Sequence, residues 1–476
     1  MRRILGALAL VLAVAVPASA NGPYVYVANG DPEGSLELVG HSPLENRGMN
    51  AALAVHGDYA YVGARTDPKV DQVVQNGVFV VDVSKPDAPE VVNEIGPPNE
   101  GNPGETSREL RIWQDQEILI VMNLFSNCAE IHACNPTVEK DDNFRFYDIS
   151  GKNGADPKLI AEYVPSINPH EFYLWEDPKN PKRALLFMSN PGGSSQMLVT
   201  DISGVRQKKF TEIGKASFPV GDAGNDNRLH SYGMSPDGTR AYLAYLEAGF
   251  YVLDTSEFAK GVKKPSVRLL TPPQNAPKWP EAVGPGAHSA IPMFGSPYVL
   301  VTDEVYGEAL RALDSGGCPW GWVRMIDIHS VVKPKIVSEY KLPQNDPDFC
   351  TTDAPRPSSS YSAHNPTLTE HLAFVTWHAG GLQVIDLSDP KKPTQAAEFV
   401  PTPELYVLQE DPVLSAGQDK VVMWSYPVIQ NGLIYAVDDR NGLYILQYKG
   451  PYQDEVADIG FLEGNSNMGD ALRLAQ

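Results

Sequence analysis

Short runs of apolar residues, separated by polar turn residues, extend along most of the chain. The clearest example is GGLQVIDLSDPKKP at residues 380–393, in which a strand ends at Asp386 and a turn leads into the next strand. Runs of this kind, bounded by Gly, Asp, Asn and Pro, are typical of strands and hairpins. After the first twenty residues, no long stretch has the 3.6-residue apolar period of a helix. The pattern therefore predicts an all-β protein.

The hydrophobic–hydrophobic–Asp core of that segment recurs along the chain. Self-similarity of this type is the signature of a repeat architecture. The first repeat predicts four strands, at residues 51–55, 59–63, 78–83 and 91–95, and four strands per repeat fit a propeller blade. The repeated aspartates, which we expect to anchor the turns that follow them, are Asp82, Asp148, Asp201, Asp254, Asp327 and Asp386, and Gln447 takes their place in a seventh copy.

The seventh copy lacks a fourth strand, because no convincing strand follows Tyr448. The segment at residues 35–40 resembles the fourth strands of other repeats, such as residues 335–340. We infer that this N-terminal strand completes the last blade, which removes an open sheet edge. The expected architecture is a seven-bladed β-propeller, formed as a single domain by residues 21–476, with a short C-terminal tail after about residue 450.

The repeats also resemble a known family. The segment at residues 380–393, and next to it GVFVVDVSKPDAP at residues 77–89, are similar to the LVIVD repeat of bacterial and archaeal extracellular proteins. The resemblance covers about residues 35–450 and implies the propeller fold. It implies no particular activity, because the repeat is an architectural motif and function resides in sites built on a fold.

Residues 1–20 have the features of a signal peptide: Arg2 and Arg3, an apolar segment at residues 4–16, and a small-residue cleavage site at residues 18–20. No Cys follows the cleavage site, so we do not expect a lipid anchor there. No later apolar run approaches the ~20 residues that a membrane span needs. We therefore expect a secreted or cell-surface protein without a membrane span.

The chain is acidic, with 59 Asp and Glu against 38 Lys and Arg and a formal net charge of −21. This charge excludes nucleic acid as a partner, since phosphates require a basic surface. Solubility is one explanation of the charge, and a cation partner is the alternative.

Four cysteines in an exported chain predict two disulfides. We expect Cys128 to pair with Cys134, which lies in the same loop, and Cys318 to pair with Cys350. The alternative for the first pair is a metal site that includes His132.

The predicted blades place most of the long insertions on one face. Strand direction alternates within a blade, so the loop into the first strand and the loop from the second to the third lie on the same face. That face carries the insertions at residues 123–142, 304–321, 344–360 and 403–420, and such a concentration usually marks a binding face. We expect a monomer that binds a small molecule or an extracellular protein or surface ligand there.

Four of the ten histidines fall at the same point of consecutive repeats, at the start of the first strand. They are His170, His230, His288 and His364. The first strand of a blade lines the central channel, so these imidazoles are expected to converge at its mouth on the insertion-bearing face. The same position in other repeats holds Asn50, Arg108–Glu109 and Ser425, and Glu109 is expected to stand in the same ring.

Imidazole is the commonest metal ligand in proteins and suits Zn, Cu, Fe and Ni ions. Further groups at the ends of second strands face the same mouth, and carboxylates behind imidazoles orient them. These groups are Glu247, Asp303, Glu304, His378, Asp438 and Asp439. The arrangement resembles, in architecture alone, the four-histidine iron site of carotenoid oxygenases and the histidine site of selenium-binding proteins, whose sequence motifs are absent here.

Two functions follow from these patterns. In the first, the protein binds a divalent or transition metal ion through His170, His230, His288, His364 and Glu109, and acts as an oxidoreductase or a hydrolase. In the second, it is a non-catalytic binding or cell-surface interaction module, and the repeated histidine is a structural residue inherited by duplication. Convergence of the imidazole nitrogens would favour the first, and bonds from each ring to the backbone of its own blade would favour the second.

Overall fold

The structure is a computed structural model that describes residues 23–65, 77–96, 106–124, 143–191, 196–218, 220, 228–279, 286–304, 321–352, 360–411, 414–415 and 418–476. These residues form seven sheets that are arranged in a ring. The predicted all-β, seven-bladed propeller is therefore confirmed. The described helices are short: α1 (Ser256–Ala259), α2 (Pro347–Thr352), α3 (Gln453–Ala457) and α4 (Ala471–Leu474).

Each blade is an antiparallel sheet whose first strand lies at the centre of the ring. Blade 1 contains β3 (Asn50–His56), β4 (Tyr59–Ala64), β5 (Val78–Asp82) and β6 (Glu90–Ile95). Blade 2 contains β7 (Thr106–Trp113), β8 (Ile118–Leu124), β9 (Asn143–Asp148) and β10 (Lys158–Tyr163). Blade 3 contains β11 (Glu171–Asp177), β12 (Asn180–Asn190), β13 (Gln196–Gly204) and β14 (Lys209–Ala216).

The remaining blades follow the same order. Blade 4 contains β15 (Ser231–Met234), β16 (Arg240–Tyr245), β17 (Gly249–Asp254) and β18 (Arg268–Leu269). Blade 5 contains β19 (Gly286–Pro292), β20 (Tyr298–Glu304), β21 (Val323–Asp327) and β22 (Lys335–Lys341). Blade 6 contains β23 (Pro366–Leu368), β24 (Leu372–Thr376), β25 (Leu382–Asp386) and β26 (Thr394–Phe399). Blade 7 contains β27 (Val428–Gln430), β28 (Leu433–Asp438), β29 (Gly442–Lys449) and β2 (Ser35–Ser42).

The repeated aspartate is the last residue of the third strand in five blades and lies three residues before the end of β13 in blade 3, and it shapes the backbone behind it. All six aspartates accept a hydrogen bond from the backbone N–H two residues further on, at 2.8 to 3.4 Å. In blade 1, for example, Asp82 also accepts the hydroxyl of Ser84 at 2.6 Å. This is an Asx turn, in which the side chain replaces a backbone acceptor. The motif is therefore a strand followed by its own turn signal, as the sequence predicts.

The N-terminal strand closes the ring. Strand β2 pairs antiparallel with β29, in a register that sets Ser35 opposite Lys449 and Ser42 opposite Leu443. The predicted closure of the last blade is confirmed. One further strand was not anticipated: β1 (Tyr24–Val27) lies parallel to β22 and forms an additional outer strand of blade 5.

The C-terminal segment enters the central channel instead of forming a short tail outside it. Strand β30 (Phe461–Glu463) pairs antiparallel with β27, on the inner side of blade 7. The chain then crosses the channel, and Ser466 pairs with Leu174 of β11 in blade 3. The sequence analysis missed this, because a three-residue strand whose partners lie far away in the chain leaves no local pattern.

Several predictions lie outside the described residues. They concern the signal peptide at residues 1–20, His132, and the cysteines Cys128, Cys134 and Cys318; the side chain of Cys350 is also outside the described part. Among the described helices, none is long and apolar enough to cross a membrane.

Candidate metal centre

The four repeated histidines lie where the first strand of each blade begins. The backbone N–H of His170 donates to Ser189 at 2.7 Å, and that of His364 donates to Thr376 at 2.9 Å. His230 makes the equivalent bond to Ala244 at 2.9 Å. These three histidines are thus held by the end of the second strand of their own blade, whereas His288 falls at a shift in the pairing of β19 with β20.

Hydroxyl groups of the preceding blade hold the same residues from the other side. Ser189 in blade 3 donates its hydroxyl to the carbonyl of His230 in blade 4. Ser231 in blade 4 donates to the carbonyl of His288 in blade 5. Thr302 in blade 5 donates to the carbonyl of His364 in blade 6 at 2.6 Å. These hydrogen bonds between blades set the spacing of successive histidines.

The imidazoles converge, as predicted. The ring centroids of His170 and His230 are 4.3 Å apart, and those of His288 lie 3.9 Å from both His230 and His364. The Nε2 atoms of His170 and His230 are 2.8 Å apart. His378, at the end of β24, extends the row, with its ring 5.2 Å from that of His364. All five rings are buried.

Two buried carboxylates lie against this row of imidazoles. Glu171 Oε1 is 3.9 Å from Nδ1 of His230 and 3.6 Å from Nε2 of His288. Glu304 Oε2 is 3.4 Å from Nε2 of His288, and its Oε1 is 2.8 Å from Nε2 of His364. The carboxylates and imidazoles together form a continuous row of ligand atoms between blades 3 and 6.

Three overlapping groups in this row have the composition of a metal site. They are His170–Glu171–His230, His230–His288–Glu304 and Glu304–His364–His378, and the ligand atoms of each group lie within 4.8 Å of one another. Each group offers two imidazoles and one carboxylate. That donor set occurs in catalytic zinc sites and in non-haem iron sites.

The tautomer of His288 leaves a ring nitrogen available. Its Nδ1 lies 2.8 Å from the hydroxyl of Ser289, and that hydroxyl donates to Asn365 Oδ1 at 2.8 Å. The hydroxyl therefore accepts the Nδ1–H of His288, and Nε2 of the neutral ring carries the lone pair. That lone pair faces Glu171 and Glu304, and among the described residues it has no hydrogen-bond partner.

Both oxygens of Glu171 are likewise without a hydrogen bond from any described residue, although the side chain is buried. A buried polar atom that lacks a partner is costly and rare in proteins. A lone pair that faces two carboxylates is also electrostatically unfavourable unless a cation, or a proton on one carboxyl, lies between them. The donor set and its unpaired atoms therefore fit a bound metal ion.

Burial governs the protonation of the centre. Burial lowers the pKa of His170, with Arg108 adding to the effect, and burial together with His230 lowers the pKa of His288. Burial and nearby Glu109 raise the pKa of Glu171 well above its usual value. For Glu304 burial acts in the same direction, but the adjacent His364 and His288 outweigh it and hold the pKa well below the usual range.

The positive charge of Arg108 disfavours a metal ion at the His170 end of the row. Its Nη2 lies 2.9 Å from Nε2 of His170, and its guanidinium lies over the ring of Trp424 at 5.6 Å. Because a guanidinium can only donate, it uses the lone pair of His170. His170 is therefore less available as a ligand than His288, whose lone pair faces carboxylates.

The sequence profile of the LVIVD repeat matches residues 47–95 and 363–399, that is, blade 1 and blade 6. Both segments contain the aspartate turn described above. The chain thus contains LVIVD repeats in these two blades. The family resemblance stated from the sequence is confirmed, and the match defines architecture rather than activity.

Solved structures similar to this chain are distant from it in sequence. Sqt1 from Chaetomium thermophilum is 12% identical, over 88% of this chain and 100% of that chain, with a TM-score of 0.49. The periplasmic gluconolactonase PpgL from Pseudomonas aeruginosa is 12% identical, over 82% of this chain and 96% of that chain, with a TM-score of 0.49. At such scores the likeness carries no functional argument. No curated protein matches the chain.

Glu109 lies outside the row of candidate ligands, contrary to our expectation. Its Oε2 lies 3.0 Å from Nη2 of Arg111, and it belongs to none of the three groups. The pairing of β7 with β8 shifts between Ser107 and Glu109, as that of β19 with β20 shifts between Ala287 and Ser289. Arg108 is thus the counterpart of a repeated histidine, and Glu109 belongs to the next ring of side chains.

Glu171 belongs to that next ring too, and it was missed. The signal was present in the sequence, since a carboxylate directly follows His170 in the otherwise apolar run that becomes β11. Glu304 and His378, which were expected near the mouth, do lie in the row. Glu247 instead pairs with Arg228 and is partly exposed.

Two of the other carboxylates, Asp303 and Asp438, have structural partners. Asp303 accepts hydrogen bonds from Arg324 at 2.7 Å and from Trp279 at 3.0 Å. Asp438 accepts the backbone N–H groups of Val422 and Arg440 at 2.8 and 2.9 Å. Its pKa is raised to about 6 by burial. These side chains hold loops around the mouth and lie outside the three groups.

The C-terminal segment runs through the channel beside β11. Each first strand starts at the histidine end, so the tail, which contacts β11 from Phe172 to Glu176, lies below the row of imidazoles. Asn467 donates to the carbonyls of Glu176 and Pro236 at 2.8 and 3.0 Å, which joins the tail to blades 3 and 4. The metal-type groups therefore lie in a channel that is filled on one side by the protein's own C-terminus.

Proposed function

We propose that this protein is an exported metalloprotein that binds a divalent or transition metal ion at the histidine end of its channel, and that it acts as a metal-dependent hydrolase or oxidoreductase. The ligands would come from His230, His288, His364 and Glu304, with His170, Glu171 and His378 beside them. The observation that supports the proposal is the lone pair of His288 Nε2, which faces Glu171 at 3.6 Å and Glu304 at 3.4 Å.

The chemistry of the donor set supports the same conclusion. Two imidazoles with one carboxylate leave open positions on zinc or iron. A metal ion in such a site supplies Lewis acidity and lowers the pKa of bound water. The chain's own contribution is to keep the imidazoles neutral through burial, and to orient His288 through the hydroxyl of Ser289.

Export is part of the proposal, and it rests on residues 1–20, which have the composition of a signal peptide. The net charge of −21 does not suit nucleic acid. We propose a small molecule, or an extracellular protein or surface ligand, as the partner of the insertion-bearing face.

A second candidate function is a non-catalytic extracellular binding module with structural histidines. The contact of 2.9 Å between Arg108 Nη2 and His170 Nε2 favours it, because a guanidinium there takes the place of a cation. In that case histidine would recur at this position for a structural reason, because its backbone carbonyl accepts a hydrogen bond from the preceding blade.

The deciding experiment is metal content, measured by mass spectrometry on protein exported through its own signal peptide. The test variant is His230→Ala/His288→Ala, and the matched control is His329→Ala, since His329 is exposed and, within the described part of the chain, hydrogen-bonds to Asp327 in its own turn. Metal that is retained by the wild type and the control but lost by the double variant supports the metalloprotein. If the wild type holds no metal, even after incubation with Zn²⁺ and Fe²⁺, the metalloprotein is contradicted and the non-catalytic binding module is favoured.

A further inference from the structure

Glu304 uses its two oxygens on two different sets of histidines. Its Oε1 lies 2.8 Å from Nε2 of His364 and 3.5 Å from Nε2 of His378. Its Oε2 lies 3.4 Å from Nε2 of His288. A carboxylate that serves one ion would turn one oxygen, or both together, towards a single point. Here Oε1 contacts His364 and His378, whereas Oε2 contacts His288 on the other side along the row.

We propose that the centre holds a pair of divalent cations bridged by Glu304, an inference that rests on the metal centre proposed above. One ion would be held by His230, His288 and Glu304 Oε2. The other would be held by His364, His378 and Glu304 Oε1. Paired catalytic ions in proteins are about 3.5–4 Å apart and share ligands in this way.

The ligand groups support two ions, because they overlap at one residue only. His230–His288–Glu304 and Glu304–His364–His378 are separate sets apart from Glu304. The rings of His288 and His364 are 3.9 Å apart and tilted by 46°. That separation is close to the distance expected between the ions themselves, so the two rings are suited to serve one ion each.

The buried charges are consistent with this arrangement. Glu171 lies at the first of the two positions, with Oε1 3.9 Å from His230 and 3.6 Å from His288, and neither of its oxygens has a hydrogen bond from a described residue. Glu304 lies between the two positions. Buried cations require nearby negative charge, and here one carboxylate would be shared while the other would be specific to the first ion.

The stoichiometry of Zn²⁺ binding tests the inference. Purified full-length protein would be stripped with a chelator, titrated with Zn²⁺ and analysed by mass spectrometry after gel filtration. We expect two ions per chain in the wild type, one in His378→Ala, one in His230→Ala, and two in the exposed control His329→Ala. A wild type that holds one ion overturns the pair and leaves the proposed function standing, whereas a wild type that holds none overturns both.

A second measurement has its main readout in the wild type, which limits its dependence on how the variants fold. Protein loaded with Cu²⁺ would be examined by electron paramagnetic resonance for the half-field signal of two coupled ions. We expect the signal in the wild type and its loss in Glu304→Gln at the same copper content. Two bound ions without coupling, or variants that all retain two ions, would overturn the bridge.

Discussion

Thr302 in blade 5 donates its hydroxyl to the backbone carbonyl of His364 in blade 6, at 2.6 Å, and both residues are buried. The bond joins two blades at the backbone of His364, whose imidazole is a candidate ligand. It therefore contributes both to the packing of the ring and to the position of the imidazole.

Replacing Thr302 with Val keeps the shape and removes the donor. The carbonyl of His364 is then left buried without this partner, which we expect to cost about 1–3 kcal/mol of unfolding free energy. Chemical denaturation of Thr302→Val measures the effect. Thr394→Val, at the exposed start of β26, is the matched control and should change stability by less than about 0.5 kcal/mol. Equal effects at the two sites would contradict the role given to this bond.

Ser289 orients His288, and its removal should weaken metal binding without removing a ligand. In Ser289→Ala the Nδ1–H of His288 loses its acceptor, so the ring can turn and its tautomer is no longer fixed. Loss of such an orienting partner typically lowers metal affinity by about 10–100-fold. Competition with a chromophoric chelator measures the affinity. The exposed Ser330→Ala should bind as the wild type does, and an unchanged affinity in Ser289→Ala would refute the orienting role.

The fold was predictable because its information is local. Six of the seven third strands carry their own Asx-turn signal, as at Asp82 and Asp386, and the incomplete seventh repeat pointed to β2 as its missing edge. The phase of the histidines was predictable for the same reason, since equivalent positions of a repeat occupy equivalent places in the ring. Side-chain chemistry at one position per blade could thus be assigned from sequence.

What the sequence did not reveal depends on contacts between distant segments. The irregular pairing near Arg108 moves Glu109 into the next ring, where it meets Arg111, and a shift of this kind depends on the partner strand. Strand β30 is three residues long and pairs with β27 on the channel side of blade 7. Neither its length nor an apolar periodicity therefore identifies it as a strand in the sequence. The positions of the histidines were therefore predicted better than the positions of the carboxylates.

Glu176 should make stability depend on pH. The carboxyl accepts a hydrogen bond from Trp113 at 2.5 Å, and burial together with Asp115 raises its pKa from 4.5 to about 7. Because the folded pKa lies above the unfolded one, the contribution of this group to stability is fully present below pH 4.5. It is lost as the pH rises through 7.

The variant Glu176→Gln keeps an acceptor for Trp113 and removes the titration. We expect its melting temperature to exceed that of the wild type at pH 8 and the difference to shrink at pH 5. Thermal unfolding at the two pH values measures this. Glu90→Gln, at the exposed start of β6, is the control and should show the same difference at both pH values. A constant difference for Glu176→Gln would show that the carboxyl titrates normally.

Asn467 fastens the C-terminal segment inside the channel. Its amide donates to the carbonyls of Glu176 and Pro236 at 2.8 and 3.0 Å, and its Oδ1 accepts the N–H of Glu176 at 2.7 Å. Asn467→Ala removes all three bonds, and each contributes roughly 0.5–1.5 kcal/mol. We therefore expect residues 459–476 to exchange their amide hydrogens faster in this variant, while the outer strands keep their protection.

Asn29→Ala, which removes an exposed local bond to Asp31, is the control and should leave exchange in the tail unchanged. Equal protection of the tail in wild type and Asn467→Ala would mean that β30 alone holds it in the channel.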